Sequence, residues 1–248
     1  MFYSIIGFFS ILSIWSLLSY TNIINDLILP NPDKVFISFY KMYQDDKLIQ
    51  NIFYSLYLNF AGYGQAILMA IPLGFLLGLI PSVRKSFSKY IDAIRYIPLT
   101  ATLGLFIAWF GIEDTMKIQF LSFGIFVYLL PTVVQRIDEI DKVYLDTTFT
   151  LGASKLQQIY TVYIPSVLSR VSDDIRVLVA ISWTYLVVAE VINKTGGLGA
   201  LAYVSARQSK VEQVFAVLII IMVIGILQDK LLSWVDTLLF PYKKVGKK

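Results

Sequence analysis

One acidic side chain, Glu190, lies well inside a run of apolar residues, and it is the first candidate for chemistry in this sequence. A carboxylate inside a membrane segment usually faces a polar cavity or a specific partner. Glu190 is therefore either a polar group at the mouth of a transport pathway or a helix-end acid paired with Lys194, four residues later. Further polar groups on the same run either line a cavity or hydrogen-bond between helices, and they belong to Ser182, Trp183, Thr184 and Tyr185.

The composition excludes most enzyme chemistry. The chain has no histidine and no cysteine, which removes imidazole catalysis, thiol nucleophiles, disulfides and zinc sites built on those residues. It has no G-x-x-x-x-G-K-[ST] loop, so we do not expect it to bind ATP. The glycine-rich run at 196–199 follows no strand, which favours a tight turn over a nucleotide site. We therefore predict a non-enzymatic chain without a metal or cofactor of its own.

A mostly polar stretch at 145–165 separates two strongly apolar segments and has the pattern of a docking helix. Gly152 permits a turn, Ala153 leaves room for close approach, and Ser154 is a typical N-cap. The helix that follows has a polar face with Lys155, Gln157, Gln158 and Thr161 and an apolar stripe of Leu156, Ile159, Tyr160 and Tyr163. Pro165 is expected to stop or redirect it. Such a helix docks in a partner's groove or rests on lipid.

The elements that position these residues are membrane spans. Apolar residues make up 57% of the chain and the mean hydropathy is +0.69. A span needs about 20 mostly apolar residues, and six runs approach this length, at 1–25, 52–83, 96–112, 118–135, 177–193 and 214–228. We therefore predict an all-α integral membrane protein with about six transmembrane helices, forming one domain over residues 1–248.

The segments between and after the runs carry their own signals. Pro30 and Pro32 force extended backbone before a short helix. A basic loop follows the second run, and that run contains small residues for close helix packing, namely Gly62, Gly64, Gly74 and Gly78. The tail at 231–248 is expected to be interfacial. Its lysines are either an anchor to anionic lipid or a solvated end, and they are Lys243, Lys244, Lys247 and Lys248.

The distribution of basic residues predicts the orientation. Six spans put both termini on the same side, and cytoplasmic loops of membrane proteins are richer in Lys and Arg. With cytoplasmic termini, the inner loops hold the basic tail and Arg84, Lys85, Lys89, Arg95, Arg136, Lys142, Lys155, Arg170 and Arg176. The outer loops hold the smaller set Lys34, Lys41, Lys47, Lys117, Lys194, Arg207 and Lys210. The polar insertion at about 136–175 is therefore predicted to face the cytoplasm.

This insertion resembles the cytoplasmic coupling loop of bacterial ABC importer permeases. That family's pattern is E-A-A, three residues, G, nine residues and then I-x-L-P; Gly152 matches its glycine and Pro165 its proline. The acidic position is occupied by Asp146, and Thr147 and Thr148 replace the two alanines. Other matching segments are LPNPDKV, IPLGFLLGL, IRYIPLTA, WFGIEDTMKI and SWTYLVVAEVINKTGGLGAL. Together they are similar to the nitrate, sulfonate and taurine branch, whose relatives carry vitamin and pyrimidine precursors.

The resemblance implies a type I ABC importer permease and its partners. It implies a second copy of the permease in a homodimer, two ATPase subunits that bind ATP and Mg²⁺, and a periplasmic or lipid-anchored solute-binding protein. The coupling residues it implies are Asp146, Gly152, Ala153, Ser154, Lys155, Leu156, Ile159, Tyr160 and Pro165. The implied location is the bacterial inner membrane, and nucleic acid is not an expected partner.

A secondary transporter or channel is the alternative of a different class. Import against a thousandfold gradient costs about 4 kcal/mol, because each tenfold costs about 1.4 kcal/mol. A secondary transporter usually draws this work from ions, through charges inside the membrane or an inverted repeat. Neither feature stands out in the sequence. The docking helix instead favours energy supplied by a partner protein.

Overall fold

The computed structural model describes residues 2–21, 23–193 and 196–244, and this part of the chain is almost entirely helical. The helical content is 86%, and no strand occurs among the described residues. The helices are α1 (Phe2–Tyr20), α2 (Pro32–Asp45), α3 (Leu48–Leu79), α4 (Pro81–Ile94), α5 (Leu99–Phe110), α6 (Asp114–Asp138), α7 (Lys142–Thr150), α8 (Lys155–Gln158), a π-helical turn (Ile159–Tyr163), α9 (Ile164–Asn193), α10 (Leu198–Arg207), α11 (Val211–Leu239) and a 3₁₀ turn (Pro241–Lys244).

The described chain contains four helical segments that are long and apolar enough to cross a membrane. They are α3, α6, α11 and the continuous helical stretch Lys155–Ile192. A fifth span results only if α4 and α5, which meet at 104°, are taken together, since α5 has 12 residues and is about 18 Å long. The shorter apolar helix α1 contains the first of the six apolar runs. The all-α membrane fold predicted from the sequence is confirmed.

The chain forms two compact units, each with its own internal contacts. One unit consists of Met1–Tyr57 and Glu190–Ile224, and the other consists of Leu58–Ala189 and Gly225–Lys248. In the first unit, Trp15 stacks on Phe215 with 6.1 Å between ring centroids. The indole nitrogen of Trp15 also donates to the Pro30 carbonyl at 2.9 Å. As predicted, the proline-rich segment is extended at Asn31 and α2 begins at Pro32.

In the second unit, α3 and α6 approach closely because α3 has glycines at their contact. The neighbours of these glycines are the branched side chains of α6, which pair as Gly62 with Leu121, Gly74 with Val133 and Gly78 with Ile137. Small residues let helix backbones come together where van der Waals packing must supply the attraction. The packing role predicted for these three glycines is confirmed. Gly64 differs, because a Cβ built there has no atom of the described chain within 4 Å.

A buried chain of hydrogen bonds joins α3, α9 and α11 within the second unit. Asn59 donates to Ser182 at 3.0 Å and accepts from the Gln228 amide at 3.0 Å. The Trp183 indole nitrogen completes the chain by donating to Gln228 at 2.9 Å. All four side chains are buried, so each bond satisfies a group that water does not reach. The chain therefore fixes the rotation of three spans relative to one another.

One expectation from the sequence is wrong in detail. The basic segment after the second run is the helix α4 and not a loop, because Pro81 and extended Ile80 provide a helix start. Beyond the apolar run at 214–228, α11 continues to Leu239, into the tail that was predicted to be interfacial. Within the predicted coupling loop of about 136–175, α6 ends at Asp138 and α9 begins at Ile164.

We expect Gly74→Ala to destabilise the protein, because the new Cβ would lie 2.5 Å from Cγ1 of Val133. Overpacking of this kind costs about 1–3 kcal/mol, which exceeds the gain of up to about 1 kcal/mol from replacing glycine in a helix. The measurement is the thermal midpoint of the purified protein in mild detergent. The matched control Gly64→Ala should be neutral or stabilising, because a Cβ built there has no atom of the described chain within 4 Å. Equal midpoints for the two glycine variants would contradict the packing assignment.

Candidate coupling site

The segment between α6 and α9 is a compact helical hairpin, here called the coupling element (residues 139–163). Its first helix, α7, begins at Asp141, whose carboxylate accepts from the Val143 amide at 3.0 Å. The helix ends in a Schellman motif, in which Gly152 N–H donates to the Phe149 carbonyl and Ala153 N–H to the Thr148 carbonyl. Gly152 has a φ of +80°, the left-handed conformation that the motif requires. The turn predicted at Gly152 is confirmed.

The second helix of the coupling element, α8, begins at a capping box. The Ser154 hydroxyl accepts from the Gln157 amide at 3.3 Å, and the Gln157 side chain accepts from the Ser154 amide at 2.7 Å. Two backbone donors at the start of the helix are thereby satisfied by side chains. The predicted N-cap at Ser154 is confirmed, and the turn between α7 and α8 is fixed at both ends by local bonds.

Thr148 and Gln158 connect α7 to α8. The Gln158 side-chain amide donates to the Thr148 hydroxyl at 3.2 Å and to the Leu145 carbonyl at 3.3 Å. The same hydroxyl donates to the Leu145 carbonyl of its own helix at 2.9 Å. An alanine at this position, as in the E-A-A pattern, has no hydroxyl to make this bond. The threonine therefore adds a tie between the two helices of the coupling element.

The coupling element carries an exposed apolar surface. Phe149 and Leu151 are 76% and 80% exposed, and they mark the turn after α7. The full set, here called the coupling patch, is Val143, Tyr144, Phe149, Leu151, Leu156 and Tyr160. Sequence periodicity identified Leu156 and Tyr160 but missed the four residues of α7 and its C-cap. Large exposed apolar groups clustered on one short element mark an interaction surface.

The other predicted coupling residues lie around this patch. Asp146, Gly152 and Lys155 are exposed, and Ala153 is half-buried. Ile159, which was predicted to share the apolar stripe with Tyr160, is also half-buried. The polar residues Asp146 and Lys155 therefore add charge at the exposed surface of the coupling element.

Pro165 does not end the helix as expected, because the chain remains helical through it. A proline inside a helix lacks the N–H donor and its ring clashes with the carbonyl four residues earlier. The π-helical turn Ile159–Tyr163 directly precedes it, with Ile164 N–H donating to the Ile159 carbonyl. This wider turn accommodates the proline, so α8 leads without interruption into α9. The coupling element is thus continuous with a span.

Arg136, which lies at the end of α6, joins the start of the coupling element to α9. Its guanidinium makes two bonds to Asp174 of α9, at 2.6 and 2.7 Å, and one to Glu139 at 2.6 Å. The hydrogen bond from Arg136 holds the pKa of Glu139 below its usual value, and Gln135 adds to this effect. Paired fork-like bonds of this type fix geometry as well as charge. The point where the chain leaves α6 is therefore tied to α9.

The C-terminal turn lies against the same region. The Tyr242 hydroxyl donates to the Pro165 carbonyl at 2.8 Å. Lys243 pairs with Asp236 at 2.5 Å and with Asp173 of α9 at 3.3 Å. Lys243 is therefore engaged in ion pairs within the protein, contrary to its predicted choice between lipid anchor and solvated end. Of the other tail lysines, Lys247 and Lys248 lie outside the described residues.

The residues considered for the pathway have different surroundings. Ser182 and Trp183 belong to the buried hydrogen-bond chain, which favours the interhelical alternative for both. Tyr185 packs edge-on against Phe120 at 6.2 Å between centroids. Thr184 is exposed and donates to the Ala180 carbonyl of its own helix at 3.2 Å. Of this group, Thr184 alone presents its side chain at a surface of the described chain.

Glu190 is fully buried and holds the start of α10 in the first unit. Its carboxylate accepts from the Ser55 hydroxyl at 2.6 Å and from the Gly199 amide at 2.7 Å. Ser55 in turn accepts from the Leu198 amide at 2.8 Å. A carboxylate is favourable at a helix N-terminus because free N–H groups and the helix dipole meet there. Lys194, the partner considered from the sequence, lies outside the described residues.

Gly197 allows this contact with Glu190. Its φ is +101°, and a Cβ built there would overlap the Glu190 carboxylate. The Gly197 amide donates to Asn51 at 2.7 Å, which ties the turn to α3. The glycine-rich run is therefore a tight turn, as predicted, and its backbone closes around a buried acid.

These features are those of a helical membrane protein with an exposed hairpin between two spans. The sequence profile of the family "binding-protein-dependent transport system inner membrane component" matches residues 70–240. The chain belongs to this family and is a transmembrane permease subunit of an ABC importer, whose ATPase is a separate subunit. It is a multi-pass inner-membrane protein, and its family works with ATPase subunits and a solute-binding protein.

Two relatives and one solved structure resemble the chain over most of its length. The chain is 29% identical to the taurine transport system permease protein TauC of Escherichia coli, covering 88% of this chain and 82% of that protein. It is 28% identical to the putative aliphatic sulfonates transport permease protein SsuC of Bacillus subtilis, covering 90% and 84%. The fold is similar to a chain of the inward-facing MetNI methionine ABC transporter, with a TM-score of 0.64, 17% identity and coverage of 79% and 95%.

We expect Gly152→Ala to weaken coupling, because alanine in the left-handed conformation costs about 1–2 kcal/mol. Crowding is not the cause, since no atom of the described chain lies within 4 Å of a Cβ built there. Gly152→Asn should be milder, because asparagine tolerates this conformation. Solute uptake and membrane abundance are measured together. Gly225→Ala, also in open space but helical, is the control. Normal uptake by Gly152→Ala would count against a role for this turn.

The bond between Thr148 and Gln158 should appear in a double-mutant cycle. Thr148→Ala and Gln158→Ala should each lower the ratio of solute transported to ATP hydrolysed. In the free energy of unfolding, the cycle should give a coupling of about 0.5–1.5 kcal/mol between the two residues. Thr147→Ala is the control, because the Thr147 hydroxyl bonds only to the Val143 carbonyl of its own helix. An equal effect from Thr147→Ala would show that the tie between the helices has no special role.

Proposed function

We propose that two identical copies of this permease form the translocation pathway, and that each copy inserts its coupling patch into a surface groove of one ATPase subunit. The exposed patch on the coupling element is the observation that carries this proposal. Six apolar side chains on a short hairpin are unfavourable in water unless a partner covers them. An apolar groove on a partner is the complementary surface. Each chain acts as a single permease domain.

In this proposal ATP and Mg²⁺ bind only to the partner ATPase subunits. The sequence has no phosphate-binding loop, so the energy enters through the coupling element. Closure of the ATPases moves α7 and α8, and the continuous helix through Pro165 carries the movement into α9. Arg136 carries the same movement into α6 through Asp174 and Glu139. The spans then alternate between inward-open and outward-open arrangements.

Both termini are proposed to lie in the cytoplasm, with the coupling element on the same side. The basic helix α4 and the arginines near the ends of α6 and α9 support this orientation. Lys117, counted on the outer side, is buried near Asp114 at 3.7 Å and so contributes little to loop charge. Its removal from the outer set widens the difference between the two sides. A periplasmic or lipid-anchored binding protein then delivers solute at the outer ends of the spans.

The proposed solute is a small organic sulfonate. This rests on the relatives named for taurine and for aliphatic sulfonates, which the chain matches over most of its length. Nitrate and vitamin or pyrimidine precursors are the other solutes suggested by the resemblance of the sequence to this branch. The residues that contact the solute are proposed to lie on the spans, with Thr184 as the exposed polar candidate.

Reconstitution with the cognate ATPase and binding protein tests this function. Taurine or an alkanesulfonate should accumulate in proteoliposomes only with ATP, and Tyr160→Asp should abolish both accumulation and co-purification of the ATPase. A charge on the patch must be desolvated in an apolar groove, which costs several kcal/mol. Thr161→Asp is the control, because its exposed side chain lies opposite the apolar stripe and bonds to the Gln157 carbonyl.

The outcomes separate the parts of the proposal. ATP-dependent uptake of nitrate but of no sulfonate would replace the solute and keep the coupling. Normal ATPase binding by Tyr160→Asp would remove the coupling patch from the interface. Uptake without any ATPase would contradict the importer mechanism.

A further inference from the structure

Helix α4 differs from every long helix around it in its charge and exposure. It has no buried residue, although its 14 residues pack beside α6. The charged side chains within it or at its C-cap are Arg84, Lys85, Lys89, Asp92 and Arg95. Two aromatic side chains, Phe87 and Tyr90, are also exposed. Such a helix is amphipathic without a protein core to cover its apolar side.

The charges of α4 exclude it from the hydrocarbon of a bilayer. Charged side chains there cost several kcal/mol each unless they face a partner or water. The axis of α4 turns by 104° into α5, which is apolar. A charged helix beside apolar spans, with aromatic residues along it, has the composition of an interfacial helix. Its cations then lie at the level of the lipid headgroups.

A cleft of about 180 Å³ lies between α4 and α6, and it gives this surface a specific shape. Arg84, Ser88 and Arg95 line it from α4, and Gln135 and Asp138 line it from α6. Both terminal nitrogens of Arg84 bind Asp138. Arg95 instead uses one nitrogen on Asp92, at 2.9 Å. The hydroxyl of Ser88 and the remaining donors of Arg95 therefore belong to one cleft.

The charges on this surface do not cancel. Asp138 balances Arg84 and Asp92 balances Arg95, while neither Lys85 nor Lys89 has an ion-pair partner among the described residues. The surface therefore keeps the positive charge of Lys85 and Lys89, next to a cleft in which two guanidinium groups are paired with the carboxylates of Asp92 and Asp138 beside the Ser88 hydroxyl. A phosphodiester is the anion that fits these donors at a membrane surface.

We propose that α4 and its cleft form a binding site for an anionic phospholipid, with the headgroup at Ser88 and Arg95 and additional attraction from Lys85 and Lys89. The exposed rings of Phe87 and Tyr90 lie at the level where acyl chains begin. This site differs from the tail site considered from the sequence, because Lys243 is paired with Asp173 and Asp236. Bound lipid holds α4 at the membrane surface and so supports the bend into α5.

The test measures lipid binding to the purified permease complex by native mass spectrometry, with phosphatidylglycerol and phosphatidylcholine as probes. Wild-type protein should retain phosphatidylglycerol in preference to phosphatidylcholine. The triple variant Lys85→Gln/Lys89→Gln/Arg95→Gln should weaken phosphatidylglycerol binding about a hundredfold, given the usual contribution of each cation near a membrane. The control Lys41→Gln/Arg207→Gln/Lys210→Gln removes the same charge from the segments outside α4 and should change binding little.

A second measurement keeps the test independent of folding. The thermal midpoint in phosphatidylcholine nanodiscs should be the same for wild type and the α4 triple variant, and only wild type should gain stability when phosphatidylglycerol is added. Equal weakening by both triple variants would overturn the site, since only net charge would matter. Displacement of the lipid by inorganic phosphate at similar concentration would also overturn it, because the cleft would then bind free anions. Binding of the ATPase to α4 in place of lipid would likewise overturn the proposed lipid site.

Discussion

The position of the coupling element depends on Arg136, whose guanidinium joins the end of α6 and the start of the element to α9. If α6 and α9 were not joined to each other, the hairpin between them could change its angle relative to both helices. The guanidinium instead binds Asp174 through two nitrogens and Glu139 through the third. A planar fork bound at three points resists rotation as well as separation. Lysine at this position would keep the charge but lose that resistance, since its three donors share one nitrogen.

Buried polar groups must find their hydrogen-bond partners inside the protein, and this requirement explains two further sets of contacts. Asn59 is hydrogen-bonded to both Ser182 and Gln228 between the spans. A buried polar group left without its partner there would cost about 1–3 kcal/mol. Glu190 is stable in a buried position because a hydroxyl and a helix N-terminus face it. These contacts specify one arrangement of the spans, because another arrangement would leave buried polar groups without partners.

The sequence could predict features that depend on neighbouring residues. Gly152, Ser154 and the six apolar runs are of this kind, because turns, caps and span length are local properties. The remainder depends on contacts between distant segments. The apolar residues of α7 follow no single helical period and no residue of that helix is buried, so periodicity could not identify them. Likewise, the helix continues through Pro165 because a π-turn precedes it. The ion pair of Lys243 is with Asp173, which lies far from it in the sequence.

The junction between the coupling element and α9 is held differently from the turn within the element. Each local bond contributes about 1 kcal/mol, and the Schellman turn, the capping box and the Thr148–Gln158 bond together hold the turn between α7 and α8. The π-turn before Pro165 lies between this turn and α9, at a point where the proline removes one backbone donor. The Tyr242 hydroxyl donates to the Pro165 carbonyl there, so the C-terminal turn adds a hydrogen bond at the place where the helix lacks one.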